Sequence, residues 1–358
     1  MLKVGIVGLP NVGKSTLFTA LTKKQVDCAN FPFCTIEPNV GVVEVPDDRI
    51  RVLSEMTGSK KRIPAAIEFV DIAGLVKGAH KGEGLGNKFL SNIRETDMIV
   101  HVVRQFSDSD VTHVDGSVDP LRDVEIIELE LAMADLATVE KMLDGVRGKM
   151  RAGKSPDLAA QGSALEKWHA VLTAGKLANT VELTDEEKEA VSSVALLTNK
   201  PILYIVNVDE AAANDPAWMS PLGAGRFAVP ISVKIEAELA GMSADDAKMM
   251  LAELGMGLSG LDKVIGKCYE LLRLMTYLTT GEQETRAWTI PVGTKAPQAA
   301  GVIHTDFEKN FIRAEVIAYD DFVKCGGESG ARDTGKLRIE GKDYVMQDGD
   351  VCHFRIGA

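Results

Sequence analysis

Apolar runs punctuated by turn residues organise the first part of the chain. Leu2-Lys3-Val4-Gly5-Ile6-Val7 is mostly apolar and β-branched, as a strand buried on both faces of a parallel sheet would be. Residues 14–22 follow as a helix with Leu17, Phe18 and Leu21 on one face. Residues 39–45 alternate as an edge strand, 65–70 form the next strand, 87–95 a helix and 98–103 another strand.

From Pro120 the period changes. Leu129, Leu136 and Leu143 recur at sevens with Val139 and Val146 between them, and Leu158, Leu165 and Leu172 recur likewise, which predicts an antiparallel helical hairpin. Its tip falls at residues 147–154, where glycines are expected to break the helices. Thr184-Asp185-Glu186-Glu187 reads as a capping box opening a further helix. Strand texture returns at 201–206 and 227–231, so the helices are inserted within one α/β domain. Residues 261–278 are expected to close that domain as a helix, with Val264, Cys268, Leu271, Leu272 and Met275 inward. Beyond Gly281, short strands at 288–292, 313–319 and 342–346 predict a small α+β domain. The expected division is a discontinuous α/β nucleotide domain (1–119 and 200–278), a helical insertion (120–199) and a C-terminal domain (279–358).

Composition adds limits. A chain of 358 residues exceeds the size at which one core usually keeps growing, which suits several domains. With 45% hydrophobic and 26% charged residues it has the balance of a soluble globular protein. The first strand starts at Leu2, leaving no room for a signal peptide, and no apolar run reaches membrane-spanning length, so a cytoplasmic protein without membrane partners is expected. Five cysteines at wide spacings give neither a zinc pattern nor a disulfide framework. The net charge of −12 confines any nucleic-acid contact to local basic patches, of which Arg147, Lys149, Arg151 and Lys154 form one.

The chemistry begins at Gly8-Leu9-Pro10-Asn11-Val12-Gly13-Lys14-Ser15-Thr16, a complete G-x-x-x-x-G-K-[ST] between a buried strand and a helix. In that setting the glycines let backbone N–H groups of the loop turn inward around a polyphosphate, and the helix N-terminus adds a favourable field. Lys14 is expected to bridge the β- and γ-phosphates and the Ser15 hydroxyl to ligate Mg²⁺, with Thr16 making a further phosphate contact. Asn11, Val12 and Gly13 belong to the same nucleotide-binding loop. In the Pro- and aromatic-rich stretch 30–38, Thr35 lies at the interval where switch proteins supply a second hydroxyl to Mg²⁺. The strand at 65–70 ends in Asp71-Ile72-Ala73-Gly74, in which Asp71 can hold Mg²⁺ through water and the Gly74 amide can meet the γ-phosphate. His113, in a loop beyond a strand, is a candidate to place or activate the attacking water.

These stretches, with Asn30-Phe31-Pro32-Phe33-Cys34-Thr35-Ile36-Glu37-Pro38-Asn39, Gly82-Glu83-Gly84-Leu85-Gly86-Asn87, Ala287-Trp288-Thr289-Ile290-Pro291 and Ala296-Pro297-Gln298-Ala299-Ala300-Gly301, give a marked likeness. Over nearly its whole length the chain resembles the Obg-like ATPases of the YchF type. That resemblance implies a GTPase-like domain with a coiled-coil insertion, a C-terminal TGS domain of β-grasp shape, ATP preferred to GTP, stimulation by potassium, and association with ribosomes. Asn11 resembles the asparagine by which some potassium-dependent switch NTPases hold K⁺ beside the phosphates.

Two departures from ordinary GTPases bear on mechanism. Guanine-reading N-K-x-D is here Asn207-Val208-Asp209-Glu210, so the lysine is gone and the final acceptor is a longer glutamate. Loss of that paired, charge-assisted contact costs guanine about 1.5–3 kcal/mol, roughly ten- to a hundredfold in affinity. Asn207, Val208 and Ser232 are expected to form the base site, offering adenine donors and acceptors and an apolar wall, with Glu210 turned away from the base; the alternative is that Asp209 or Glu210 swings in and rescues guanine, giving a GTPase or dual-specificity site. Leu75 stands where many GTPases carry a water-orienting glutamine, which is why His113 is brought forward. Both a turnover enzyme and a nucleotide-gated binding module fit this pattern, with the oligomeric state open.

Overall fold

The computed structural model describes residues 2–23, 39–72, 85–107, 117–153 and 155–357. In chain order the elements are β1 (Leu2–Val7), α1 (Lys14–Lys23), β2 (Val40–Glu44), α2 (Asp48–Thr57), β3 (Lys61–Ile63), β4 (Ala66–Asp71), α3 (Leu85–Arg94) and β5 (Met98–Arg104). The helical segment follows as α4 (Pro120–Ala152), α5 (Pro156–Thr173) and α6 (Asp185–Ala190), then β6 (Ile202–Asn207), α7 (Glu210–Ala213), β7 (Phe227–Ile231), α8 (Val233–Leu239), α9 (Ala244–Glu253) and α10 (Gly260–Leu271). The chain finishes with β8 (Leu274–Thr280), β9 (Glu284–Pro291), α11 (Ala296–Ile303), α12 (Thr305–Lys309), β10 (Phe311–Ala318), α13 (Tyr319–Lys324), α14 (Glu328–Asp333), β11 (Arg338–Glu340) and β12 (Asp350–Ile356).

Two compact units emerge. One holds the described residues up to Gly41 together with Glu68–Val264, and the other holds Val42–Ile67 with the described residues from Ile265 onward. The first is built on a six-stranded sheet in the order β2-β4-β1-β5-β6-β7, in which β1, β5, β6 and β7 run parallel. Strands β5 and β6 are buried along their whole length, which explains their near-continuous apolar sequence. The polar exceptions on these strands are buried too. Burial lowers the pKa of His101 on β5 to about 4, so its ring is neutral at physiological pH. Beside it, the Tyr204 hydroxyl donates to Glu128 of α4 at 2.5 Å, and Arg226 donates to the same carboxylate through Nε and Nη2 at 2.9 and 2.8 Å. Burial raises the Glu128 pKa, but the Arg226 and Tyr204 hydrogen bonds outweigh it and keep the group below its ordinary range.

The insertion packs α4 against α5 as an antiparallel pair, through Ala132, Val139, Leu143 and Val146 on one helix and Ala164, Leu165, Trp168 and Leu172 on the other. Two expectations change here. Leu129, the first of the heptad leucines, is 48% exposed, the seam taking Ala132 instead. Gly148 does not break the helix: α4 runs through it to Ala152 and stops at Gly153. An exposed helical glycine costs only about 1 kcal/mol, too little to interrupt a helix of this length. The capping box opening α6 is formed, with Thr184 and Glu187 exchanging backbone-to-side-chain hydrogen bonds.

The second unit carries a sheet in the order β11-β10-β12-β8-β9-β3. Antiparallel β8 and β9 form a hairpin, β12 lies parallel to β8, and β10 and β11 follow antiparallel, with Ala296, Ala299 and Ala300 of α11 packed on one face. This is a β-grasp arrangement. Residues 42–67 extend it: β3 adds parallel to β9, and Ile50 and Leu53 of α2 enter a core with Leu278, Ile317 and Phe322. A chain of hydroxyls joins Thr57, Ser59, Thr280 and Thr285 at 2.6–2.9 Å, and Arg49 bridges Asp47 and Asp348. The closing helix expected over 261–278 ends at Leu271. Arg273 takes a positive φ of 51°, and the chain turns into β8, so Met275 faces the β-grasp core. The strand expected at 342–346 is a turn whose Val345 makes an isolated bridge to Lys295, and the strands in this stretch are β11 and β12. Met346 fills the core without a ladder, so its apolar character gave the wrong signal.

Buried Asp135 on α4 ties the insertion to the start of β6, accepting from the Leu197 and Thr198 amides at 3.0 and 2.7 Å and the Thr198 hydroxyl at 2.7 Å. Asp135→Ala strands those donors and should cost about 2–4 kcal/mol, read as a lower urea midpoint. An unchanged midpoint would show that water replaces the carboxylate without loss.

Candidate nucleotide site

The loop between β1 and α1 owes its shape to glycines at two contact points. A Cβ on Gly8 would lie 2.7 Å from the Val102 carbonyl oxygen on β5, so the loop can approach the sheet only without a side chain. Gly13 has φ +96°, and a Cβ there would fall 2.5 Å from the Asn207 side-chain nitrogen. Asn11 adopts φ 62°, a conformation its short polar side chain tolerates. Lys14 and Ser15 open α1, and the Lys14 ammonium pairs with the Asp71 carboxylate at the end of β4.

The opposite wall comes from the ends of β6 and β7. Asn207 donates through its amide to the Val12 carbonyl at 3.0 Å and accepts from the Val233 N–H at 3.1 Å. Its backbone carbonyl receives the N–H groups of Gln105 and Phe106 at 2.9 and 3.1 Å. Ser232 caps the N-terminus of α8 through its hydroxyl. A cleft of about 680 Å³ results, bounded by Asn11, Gly13, Thr16, Asn207, Val208 and Ser232 from the expected set. Phe106, Ser107, Asp209, Glu210, Lys234 and Glu238 line it as well.

The polar groups at this end of the cleft are engaged within the protein. The Asn207 amide is engaged at both ends, and the Val208 N–H donates to the Ile231 carbonyl at 2.9 Å, so these groups build the cleft wall. Val208, at the sequence position of the lysine in the guanine-reading pattern, is 3% exposed. The Glu210 Oε1 accepts from Lys234 Nζ at 2.8 Å, which raises the lysine's pKa. Phe106 was not singled out in the sequence. The Arg104 guanidinium lies 4.4 Å from its ring centroid, holding an aromatic face at the cleft. A phenylalanine just past a strand end is the one signal that could have marked it. Thr35, Gly74, Leu75, His113, Cys28, Cys34 and Lys154 lie outside the described residues.

Known proteins were compared with this chain. A family model described as a 50S ribosome-binding GTPase matches residues 3–136, and the YchF-GTPase_C model, described as a protein of unknown function (DUF933), matches residues 274–357. The chain is 53% identical to the ribosome-binding ATPase YchF of Bacillus subtilis, covering 99% of each, and 51% identical to that of Haemophilus ducreyi, covering 99% of this chain and 98% of the relative. The solved structure of the Schizosaccharomyces pombe YchF GTPase superposes with a TM-score of 0.86 at 42% identity, covering 99% of this chain and 97% of that one. With near-identical length, shared domain order and half of all positions matched, the chain belongs to the YchF family.

Proposed function

We propose that the protein is a Mg²⁺-dependent P-loop ATPase of the cytoplasm that prefers ATP to GTP and works as a nucleotide-gated switch on ribosomes. The observation that carries this reading is a cleft lined by Gly13 and Thr16 of the phosphate loop on one side and by Val208 and Glu210 on the other. The names of its full-length relatives, ribosome-binding ATPases, agree with it. No helix among the described residues is long and apolar enough to cross a membrane.

The donor set suits a hard cation. Exposed Ser15 offers a hydroxyl at the first turn of α1, and Asp71 offers a carboxylate beside Lys14. Bound there with a nucleotide, Mg²⁺ would neutralise charge on the β- and γ-phosphate oxygens. Lys14 then turns from Asp71 to the phosphates, while the loop amides and the α1 N-terminus bind the remaining charge. By the sequence pattern, Thr35 would supply the metal with a second hydroxyl and the Gly74 amide would meet the γ-phosphate. His113 would orient the attacking water in place of the glutamine absent at Leu75, and Asn11 would hold K⁺ beside the phosphates. At the base end Phe106 supplies a stacking face. Guanine finds no lysine at Val208, and the carboxylate it needs is engaged with Lys234.

Lys14→Ala should abolish steady-state hydrolysis, and His113→Ala should slow single-turnover hydrolysis at least tenfold while leaving binding. Replacing KCl by NaCl should lower the wild-type rate. Full activity of the Lys14 variant would remove the site, and an unchanged single-turnover rate would remove His113.

Calorimetric titration with non-hydrolysable analogues should give ATP the tighter binding by roughly tenfold or more. Equal or tighter binding of the GTP analogue would overturn the ATPase reading.

The insertion's far end, with Arg147, Lys149 and Arg151 on α4 and Lys154 beyond it in sequence, is a local basic patch in an acidic chain. Reversing all four charges should weaken co-sedimentation with ribosomes and flatten its salt dependence. Undiminished sedimentation would assign the contact to the C-terminal β-grasp domain instead.

A further inference from the structure

Strands β6 and β7 pair in parallel with Asn207 opposite Ile231. Glu210 lies three residues beyond Asn207, and Lys234 three beyond Ile231. The register therefore delivers a carboxylate and an ammonium to the same level, just past the end of the sheet. Both backbones are fixed nearby: the Val208 N–H bonds the Ile231 carbonyl, and the Val233 N–H bonds the Asn207 side chain. Glu210 opens α7 and Lys234 lies in the first turn of α8, so each side chain starts from an ordered helix. Their ends meet at 2.8 Å, and both residues line the base end of the cleft.

A base-reading carboxylate must present both oxygens to guanine N1–H and the 2-amino group. Glu210 stands at the place in the Asn207–Glu210 stretch where such a group belongs, and its extra methylene gives it the reach to swing inward. Lys234 takes one of those oxygens. Resting on the ATP-preferring reading above, we propose that Lys234 is a specificity-determining residue, which holds Glu210 off the base edge and so prevents guanine from regaining its paired contact. Adenine, with an acceptor at N1 and no 2-amino group, gains nothing from a released carboxylate. The selection thus acts against guanine.

Both partners are largely exposed, so the restraint is modest and is screened by salt. The expected effect is correspondingly a few-fold change in a ratio. Non-hydrolysable GTP and ATP analogues are titrated into the full chain by calorimetry, with thermal melting to establish that each variant is folded. Lys234→Met should raise the GTP:ATP affinity ratio about three- to tenfold. Adding Glu210→Gln to that variant should return the ratio to its starting value, and Lys234→Arg, which keeps the pair, should leave it low. Raising ionic strength should lift the ratio in the wild type and not in Lys234→Met. A ratio unmoved by Lys234→Met, or a gain that survives Glu210→Gln, overturns the proposal while leaving ATP preference standing. A wild-type chain that binds the two analogues equally removes the ATP reading, and this proposal with it.

Discussion

The side-chain amide of Asn207 is the constraint on which the nucleotide cleft depends. It joins the Val12 carbonyl in the phosphate loop to the Val233 N–H at the start of α8, while its backbone carbonyl collects Gln105 and Phe106. Three chain segments far apart in sequence are held by one residue at the end of a buried strand. The arrangement works because position 13 is glycine: a Cβ 2.5 Å from the amide nitrogen would push the loop and strand apart. The loop glycines thus serve approach to the protein's own sheet as much as approach to phosphate. Removing the amide would leave a carbonyl and an N–H unpaired inside the wall, which is more costly than the loss of two ordinary hydrogen bonds.

The same device secures the helical insertion. Its seam of alanine, valine and leucine is non-directional and would tolerate sliding, whereas hydrogen bonds to buried carboxylates fix register. Glu128 ties α4 to Tyr204 on β6 and to Arg226 ahead of β7, and Asp135 ties α4 to the amides leading into β6. Both acids sit in the part of α4 nearest its root in the sheet. The outer part, toward Arg147 and Arg151, is attached by the α5 seam and an exposed ion pair from Arg147 to Glu166 at 3.5 Å, which contributes little.

Legibility in the sequence followed from whether a feature was local. Strand β1, helix α1 and the loop between them could be read because burial, turn and helix signals all lie within about twenty consecutive residues, and the same holds for the Thr184 capping box. The end of α10 could not, because Leu272 to Leu278 continues an apolar pattern that suits either a helix or a strand, and the break is a backbone event at Arg273. Nor could β3 and β11, whose three residues are shorter than any usable period. That residues 42–67 complete the β-grasp sheet depends on pairing with β9, some 220 positions away, as in Lys61 opposite Glu284. In the site, the phosphate loop announced itself, but Phe106 and Lys234 acquire their places from strand register. That Lys234 meets Glu210 follows only once β6 and β7 are aligned.

The two ends of the cleft are therefore built from different material. At the Gly13 end the loop geometry is set by glycines that contact buried strands, so a side chain at Gly8 or Gly13 forces a shift. At the other end the wall is buried Val208 and the rim is an exposed pair, Glu210 and Lys234. A change at the rim costs the fold little, since exposed residues outside packed or hydrogen-bonded networks contribute within about half a kcal/mol. If Lys234 sets the choice of base as proposed, that choice can shift while the phosphate loop stays intact. On the proposal above, the choice of purine rests on a few rim side chains, while the phosphate loop is held in shape by the sheet.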